Sequence, residues 1–196
     1  KMSLAGLNDW LTVDYNTGTT VFTTLSASSN ANLRTTKSNL HLTINVKDYG
    51  AVGDGSTDDS TAVTAAVAAL TNYSTLYFPA GIYKTSQVII ASLTGVTVAG
   101  DGWASTIIRS NANFDAGDGF GVTQGGSILN LASTSSYITV KGITWDANCT
   151  HRKAGQQACK IDSSYLSFTD CRVINSGEYA ISTGRSAALT NVIISN

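Results

Sequence analysis

Charged residues are scarce in this chain of 196 residues. Twelve Lys and Arg stand against 13 Asp and Glu, so charged side chains make up 13% of the sequence and the net charge is -1. A nucleic-acid-binding surface needs a basic excess to neutralise phosphates, and this composition supplies none. No apolar run approaches the roughly 18 residues of a membrane-spanning helix. We therefore expect neither nucleic-acid binding nor membrane insertion.

Cysteine is also rare, and proline occurs once. Cys149, Cys159 and Cys171 are odd in number, and their spacings of ten and twelve residues include no C-x-x-C pair. Such cysteines are best interpreted as small buried apolar residues rather than as zinc ligands. The segment 50–57 resembles a phosphate-binding loop but lacks its Lys, which argues against a nucleotide site. We expect no metal and no cofactor.

Short polar residues are abundant: Ser, Thr and Asn account for 63 of the 196 residues. Ser and Asn favour turns because they hydrogen-bond to their own backbone, whereas Thr and Val suit strands. With 42% hydrophobic residues, the chain has enough apolar material for a core. This mixture predicts an all-β fold of short strands joined by tight turns.

The chain divides near residue 44. Residues 1–43 are rich in Thr, Ser and Asn and are expected to form a neck or linker, and residues 44–196 the main domain. Ile44–Tyr49 alternates as a strand, and a glycine-rich break follows it. Ser56 and Asp59 have the spacing of a capping box, which predicts a helix over about 57–70. The larger apolar residues of this helix fall on one stripe, at Val63, Val67 and Leu70.

Beyond the helix, an apolar pattern repeats. Leu76–Phe78 and Ile82–Lys84 indicate two strands separated by a turn. Four later segments then carry apolar residues in the same three columns, with a turn-forming residue between the first and second: Leu93–Val98, Val140–Trp145, Phe168–Val173 and Leu189–Ile194. A repeat of this kind predicts a solenoid of parallel coils.

This alignment assigns directions to individual side chains. It places Trp145 and Cys171 in the core, Arg172 on the outer face and Asp170 in a turn. Trp145 as an exposed platform for a sugar ring is the alternative interpretation. The last coil has no capping element after Asn196, so we expect the coils to continue beyond residue 196.

The segments 46–62 (VKDYGAVGDGSTDDSTA) and 76–83 (LYFPAGIY) resemble the opening of the pectate-lyase-like superfamily. The resemblance implies a right-handed single-stranded parallel β-helix closed by an N-terminal capping helix. It also implies a carbohydrate ligand. The Thr/Ser/Asn-rich residues that precede the motif are similar to those of the bacteriophage tail spikes and depolymerases of this superfamily, which are usually homotrimers.

Candidate chemistry concentrates after residue 145, in a polar segment that we expect to form an excursion loop. Hydrolysis of a polysaccharide needs two carboxylates, whereas elimination from a uronic acid needs a base beside a neutralised carboxylate. A solvated loop without chemistry is the alternative. The predicted catalytic residues are Asp146, His151, Lys153 and Glu178, and the predicted substrate-binding residues are Arg152 and Arg172.

The resulting hypothesis is a phage tail spike that binds and depolymerises a bacterial capsule or O-antigen. We expect a homotrimer in the virion tail that acts outside the cell, with residues 1–43 contacting other tail proteins. A non-catalytic receptor-binding or structural tail protein is the first alternative. A cellular polysaccharide lyase or polygalacturonase-type hydrolase is the second.

Overall fold

The computed structural model of the protein describes residues 11–13, 20–22, 42–111, 127–149, 157–177, 179–183 and 193–195. The chain divides into two units, Lys1–Leu40 and His41–Asn196. In the first unit, strands β1 (Leu11–Val13) and β2 (Thr20–Phe22) pair antiparallel.

The described strands of the second unit form three parallel sheets, and the chain visits them in turn, once per coil. The six-stranded sheet contains β3 (Thr43–Asn45), β5 (Thr75–Phe78), β8 (Thr97–Gly100), β11 (Thr139–Lys141), β14 (Ser167–Thr169) and β17 (Ile193–Ser195). The five-stranded sheet contains β4 (Asp54–Asp58), β6 (Gly81–Thr85), β9 (Thr106–Ser110), β12 (Thr144–Asp146) and β15 (Arg172–Ile174). The four-stranded sheet contains β7 (Val88–Ile90), β10 (Leu129–Leu131), β13 (Gln157–Ile161) and β16 (Tyr179–Thr183). This architecture confirms the predicted right-handed parallel β-helix.

The core is built from columns of inward side chains, one from each coil. In the six- and five-stranded sheets, alternation sends the middle residue of each short strand inward, whereas β7 and β10 of the four-stranded sheet bury their two end residues and turn the middle one outward. On the five-stranded sheet, Tyr83, Ile108, Trp145 and Val173 are paired in register. Trp145 is fully buried, which confirms core packing and excludes the sugar-platform interpretation.

The predicted register is right for two coils and wrong for two. Val140 pairs with Phe168 as expected. On its other side, however, Val140 pairs with Val98 rather than Leu93, and Phe168 pairs with Ile194 rather than Leu189. Both errors are five residues long. They arise because an apolar–turn–apolar pattern occurs both before and after the strands of the six-stranded sheet. The alignment matched the turn before β8, at Gly95, with the turn after β11, at Gly142.

The start of the domain also differs from the prediction. The strand β3 ends at Asn45, and a 3₁₀ helix follows at Val46–Tyr49. The α-helix, α1, spans Ser60–Ala68 instead of about 57–70, because β4 extends to Asp58. The predicted capping box does not form, since the Asp59 carboxylate accepts hydrogen bonds from the backbone N–H groups of Val52 and Gly53. Helix α1 nevertheless buries Val63 and Ala66, with Leu70 and Val67 packed on the same core.

Candidate functional site

An exposed tryptophan stands at the corner between the six- and five-stranded sheets. Trp103 lies in the turn that joins β8 to β9, and 45% of it is exposed. Asp101 holds this turn, because its carboxylate accepts hydrogen bonds from the Tyr77 hydroxyl at 2.6 Å and from the Ala80 N–H at 2.8 Å. The same two bonds lower the pKa of Asp101, with the Tyr77 contact as the larger cause. The tryptophan is therefore presented by a fixed turn.

The turn can lie across the next coil because that coil carries a glycine at the corner. Gly142 has a φ of +67°, and a Cβ built on it would lie 2.7 Å from the carbonyl oxygen of Gly100. The Gly102 N–H donates to the Gly142 carbonyl at 3.0 Å, and the Thr144 hydroxyl donates to the Trp103 carbonyl at 2.6 Å. These contacts bring Trp103 over its neighbouring coil.

Trp103 thereby reaches a side chain two coils away. The guanidinium carbon of Arg172 lies 5.7 Å from the centre of the Trp103 ring, within the range of a cation–π contact. Trp103, Asp170, Cys171 and Arg172 line an open cleft of about 410 Å³. Among the described residues, no carboxylate lies within ion-pair distance of Arg172. The cleft therefore offers an aromatic face and a cation that can meet an oxygen-rich ligand.

Two residues that the sequence placed in the core or in a turn also line this cleft. Asp170 has a φ of +48°, which confirms its predicted turn position. Cys171 is half-buried rather than part of the closed core. Burial raises the pKa of its thiol to about 11, so it remains protonated at neutral pH. A thiol in this state is a poor nucleophile.

Asp146 lies on β12, one coil before β15 and two residues further along the strand than Arg172. Its side chain is 2% exposed. One oxygen accepts from Arg109 Nε at 2.8 Å, and the other accepts from Asn175 Nδ2 at 2.7 Å and from the Asn148 N–H at 3.0 Å. Both oxygens are thus occupied, and proton transfer to a ligand would require one of these contacts to be exchanged.

Asp146 also ends a row of charges on the outer face of the five-stranded sheet. Asp58 pairs in register with Lys84, Lys84 with Arg109, and Arg109 with Asp146. The row places both cations between two carboxylates, so most of its charge is compensated within the protein. Arg172 stands apart from this row, in the column that continues from Thr144.

The structure places the predicted site residues unequally. Asp146 and Arg172 lie on adjacent strands of one sheet. His151, Arg152, Lys153 and Glu178 lie outside the described residues. Trp103 and Gly142 were missed as site residues, and the available signal was the short turn Asp101–Trp103, which places an aromatic residue directly after a glycine.

Neither a metal site nor a membrane-spanning helix is found in the part of the chain that the structure describes. No group of three His, Cys, Asp or Glu side chains there could hold a metal ion. None of the helices there is both long and apolar enough to cross a membrane.

Two curated relatives share short stretches with this chain. Mannuronan C5-epimerase AlgE1 of Azotobacter vinelandii is 40% identical over 73 residues, which are 33% of this chain and 5% of that protein. Alginate lyase 7 of the same organism is 42% identical over 81 residues, which are 40% of this chain and 8% of that protein. The chain spans less than a tenth of either relative.

Among solved structures, ORF18 of Geobacillus virus E2 has a similar fold. The TM-score is 0.55 at 20% identity, and the match covers 85% of this chain and 32% of that chain. A family model described as rhamnogalacturonase A/epimerase, pectate lyase-like, matches residues 43–144, which is about half of the chain and includes Trp103 and Gly142. The chain therefore belongs to this pectate lyase-like family, whose members act on polysaccharides.

Proposed function

We propose that the protein is part of a phage tail spike that binds and depolymerises a bacterial surface polysaccharide. The observation that carries the proposal is the open cleft in which Trp103 and Arg172 meet, on a scaffold of a polysaccharide-acting family. The resemblance of the Thr/Ser/Asn-rich lead-in and the opening motif to tail spikes supports the phage branch.

The cleft has the groups that an acidic sugar requires. The exposed part of the Trp103 ring can pack on the apolar face of a pyranose. Arg172, without a carboxylate partner among the described residues, can bind a uronate carboxylate through two parallel hydrogen bonds. Asp170 can accept hydrogen bonds from sugar hydroxyls. Arg152 is proposed as a second substrate-binding cation.

Elimination is the favoured chemistry, because the two relatives that share short stretches with this chain are a mannuronan C5-epimerase and an alginate lyase, and both names refer to polymers of uronic acids. In this reaction, neutralising the uronate carboxylate acidifies the neighbouring C–H, and a base removes the proton while the glycosidic oxygen leaves. Arg172 is suited to the neutralising role. Asp146, His151, Lys153 and Glu178 are the proposed acid–base residues.

The proposal is tested by incubating the full-length protein with alginate and with a panel of purified capsular polysaccharides. Elimination produces an unsaturated uronide, which is seen as a rise in ultraviolet absorbance together with shorter polymer chains. We expect Trp103→Ala and Arg172→Gln to reduce this rate at least tenfold. Ile89→Ala is a matched control, because Ile89 is 45% exposed on β7 of the four-stranded sheet, away from the cleft and from the proposed acid–base residues. Equal rates in all three variants would contradict the cleft assignment.

Two other functions have distinct outcomes in the same experiment. A receptor-binding or structural tail protein would retain polymer without shortening it. A hydrolase would shorten the polymer without the absorbance rise. Either result would replace the elimination mechanism.

The proposal extends to the assembly. We expect a homotrimer in the virion tail that acts outside the cell, with residues 1–43 contacting other tail proteins. Sedimentation of the full-length protein measures its mass, and a stable monomer would contradict the trimer.

A further inference from the structure

Tyrosines recur at one corner of the β-helix, between the four- and six-stranded sheets. Thr75, Thr97, Thr139 and Ser167 are paired in register. Two residues earlier in each coil, the equivalent positions are occupied by Tyr73, Gly95, Tyr137 and Tyr165. We call these four positions the tyrosine column.

The three tyrosines adopt a backbone conformation that bulky residues seldom take. Their φ angles are +63°, +55° and +57° for Tyr73, Tyr137 and Tyr165. A large side chain in the left-handed region is unusual and carries a conformational cost, and such residues cluster at functional sites. Core packing does not explain them, because they are 53%, 56% and 40% exposed.

The rings form an ordered aromatic surface. Tyr137 and Tyr165 are stacked, with ring centres 4.4 Å apart and planes at 7°. The ring of Tyr73 lies over Gly95, where an added Cβ would be 2.4 Å from a ring carbon. Gly95 thus leaves room for the neighbouring ring instead of interrupting the column.

The residues that flank each member of the column in sequence are uncharged. No Asp, Glu, Lys, Arg or His lies within two residues of any of its members. Hydroxyl groups stand beside it instead, for example those of Thr94 and Ser136, which are hydrogen-bonded at 2.7 Å. The row formed by Thr75, Thr97, Thr139 and Ser167 runs beside the column. Neighbouring members of this row are one coil apart, roughly 4.8 Å.

We propose that the tyrosine column is a second carbohydrate-binding strip, which takes an uncharged stretch of glycan lying along the axis of the β-helix. The apolar faces and edges of pyranose rings match exposed tyrosines, and their hydroxyls match a row of Ser and Thr without charges. The inference rests on the proposed function, since it gives a polymer that carries both acidic and neutral sugars a second contact. The strip lies at the corner before the strands of the six-stranded sheet begin, and the cleft lies at the corner after those strands end.

The test compares the full-length wild type with Tyr137→Asn/Tyr165→Asn on an array of bacterial polysaccharides and neutral oligosaccharides. Asn adopts the left-handed conformation readily, so the double variant should fold, and circular dichroism checks this. We expect at least a tenfold loss of retention on the neutral glycans that the wild type binds. Tyr179→Asn, an exposed tyrosine outside the column, should leave retention unchanged. Equal retention by the double variant, or no neutral glycan bound by the wild type, would overturn the proposal.

The outcomes separate this strip from the cleft and from a protein interface. If Trp103→Ala abolishes depolymerisation while Tyr137→Asn/Tyr165→Asn binds glycans normally, the strip is refuted and the proposed function stands. If the double variant binds glycans normally but sediments as a smaller species, the column contacts a second copy of the chain instead.

Discussion

Replacing Asp146 by Asn changes one buried atom and tests the local hydrogen-bond arrangement. Arg109, Asn148 and Asn175 all direct donors at the carboxylate. An amide has one oxygen and one NH₂ group, so at least one of these donors would face another donor. The variant also removes the negative charge beside Arg109.

The magnitude follows from burial. Removing one partner of a buried ion pair costs about 3 to 5 kcal/mol. The Arg109 side chain, however, is 35% exposed and can turn toward water, which reduces the loss. We expect Asp146→Asn to lower the free energy of unfolding by about 2 to 3 kcal/mol.

Urea unfolding followed by circular dichroism measures this loss as a shift of the midpoint by about 1 M, given typical denaturant slopes. Asp48→Asn is the matched control, because Asp48 is exposed in the 3₁₀ helix and should change the midpoint little. A change of less than about 0.5 kcal/mol for Asp146→Asn, the size usual for surface substitutions, would refute the argument. A separate activity measurement tests the proposed acid–base role of Asp146: at a temperature where Asp146→Asn is folded, loss of polysaccharide cleavage would support that role.

Other expectations concern the core, the thiols and acid stability. Trp145→Ala should cost about 3 to 5 kcal/mol in urea unfolding, because it empties a fully buried site; a loss below about 1 kcal/mol would contradict the packing. Burial raises the pKa of the thiols of Cys159 and Cys171, so at pH 8 the fully buried Cys159 should react with iodoacetamide only after unfolding, and Cys171, which lines the cleft, should react much more slowly than in the unfolded chain; mass spectrometry of the native and unfolded protein measures both rates. Hydrogen bonds from Ser60 lower the pKa of Asp58; the bond from the Ser60 hydroxyl is the largest cause, and the bond from the Ser60 backbone N–H is the second. The stabilisation from Asp58 is therefore present above its unfolded pKa of about 3.9 and is lost as the pH falls through the folded value. Melting temperatures measured between about pH 5 and pH 2 should fall less for Asp58→Asn than for the wild type, and parallel curves would exclude this contribution.

Much of the architecture can be predicted from local pattern. The alternation around Val140 and Phe168 identifies adjacent strands of one sheet, because a two-residue period with a turn residue in register has few other solutions. The same pattern misaligned Leu93, since Gly95 and Gly142 lie at opposite ends of the six-stranded sheet. Both ends need a residue that tolerates a left-handed turn, so their local sequences are alike.

The cleft could not be predicted in the same way. Arg172 was expected on the outer face, since strand alternation decides that direction. Its contact with Trp103 requires the β8–β9 turn to cross the next coil at Gly142. That crossing is possible only because Gly142, which is distant in sequence from both side chains, has no Cβ atom. The tyrosine column was missed because turn propensities favour Gly, Asn or Asp at such corners, and Tyr violates that preference.

Because the turn crosses the coil at Gly142, the cleft forms only at one spacing of coils along the axis of the β-helix. Trp103 and Arg172 belong to coils that are separated by one intervening coil, so their separation is fixed by a whole number of strand spacings, each about 4.8 Å. Inserting one coil between them would leave the hydrogen-bonding of the sheets intact and yet move the two groups out of reach of each other. Deleting one would make them collide. Duplication of coils, a common event in repeat proteins, would therefore lengthen the scaffold freely on either side of this segment but not within it.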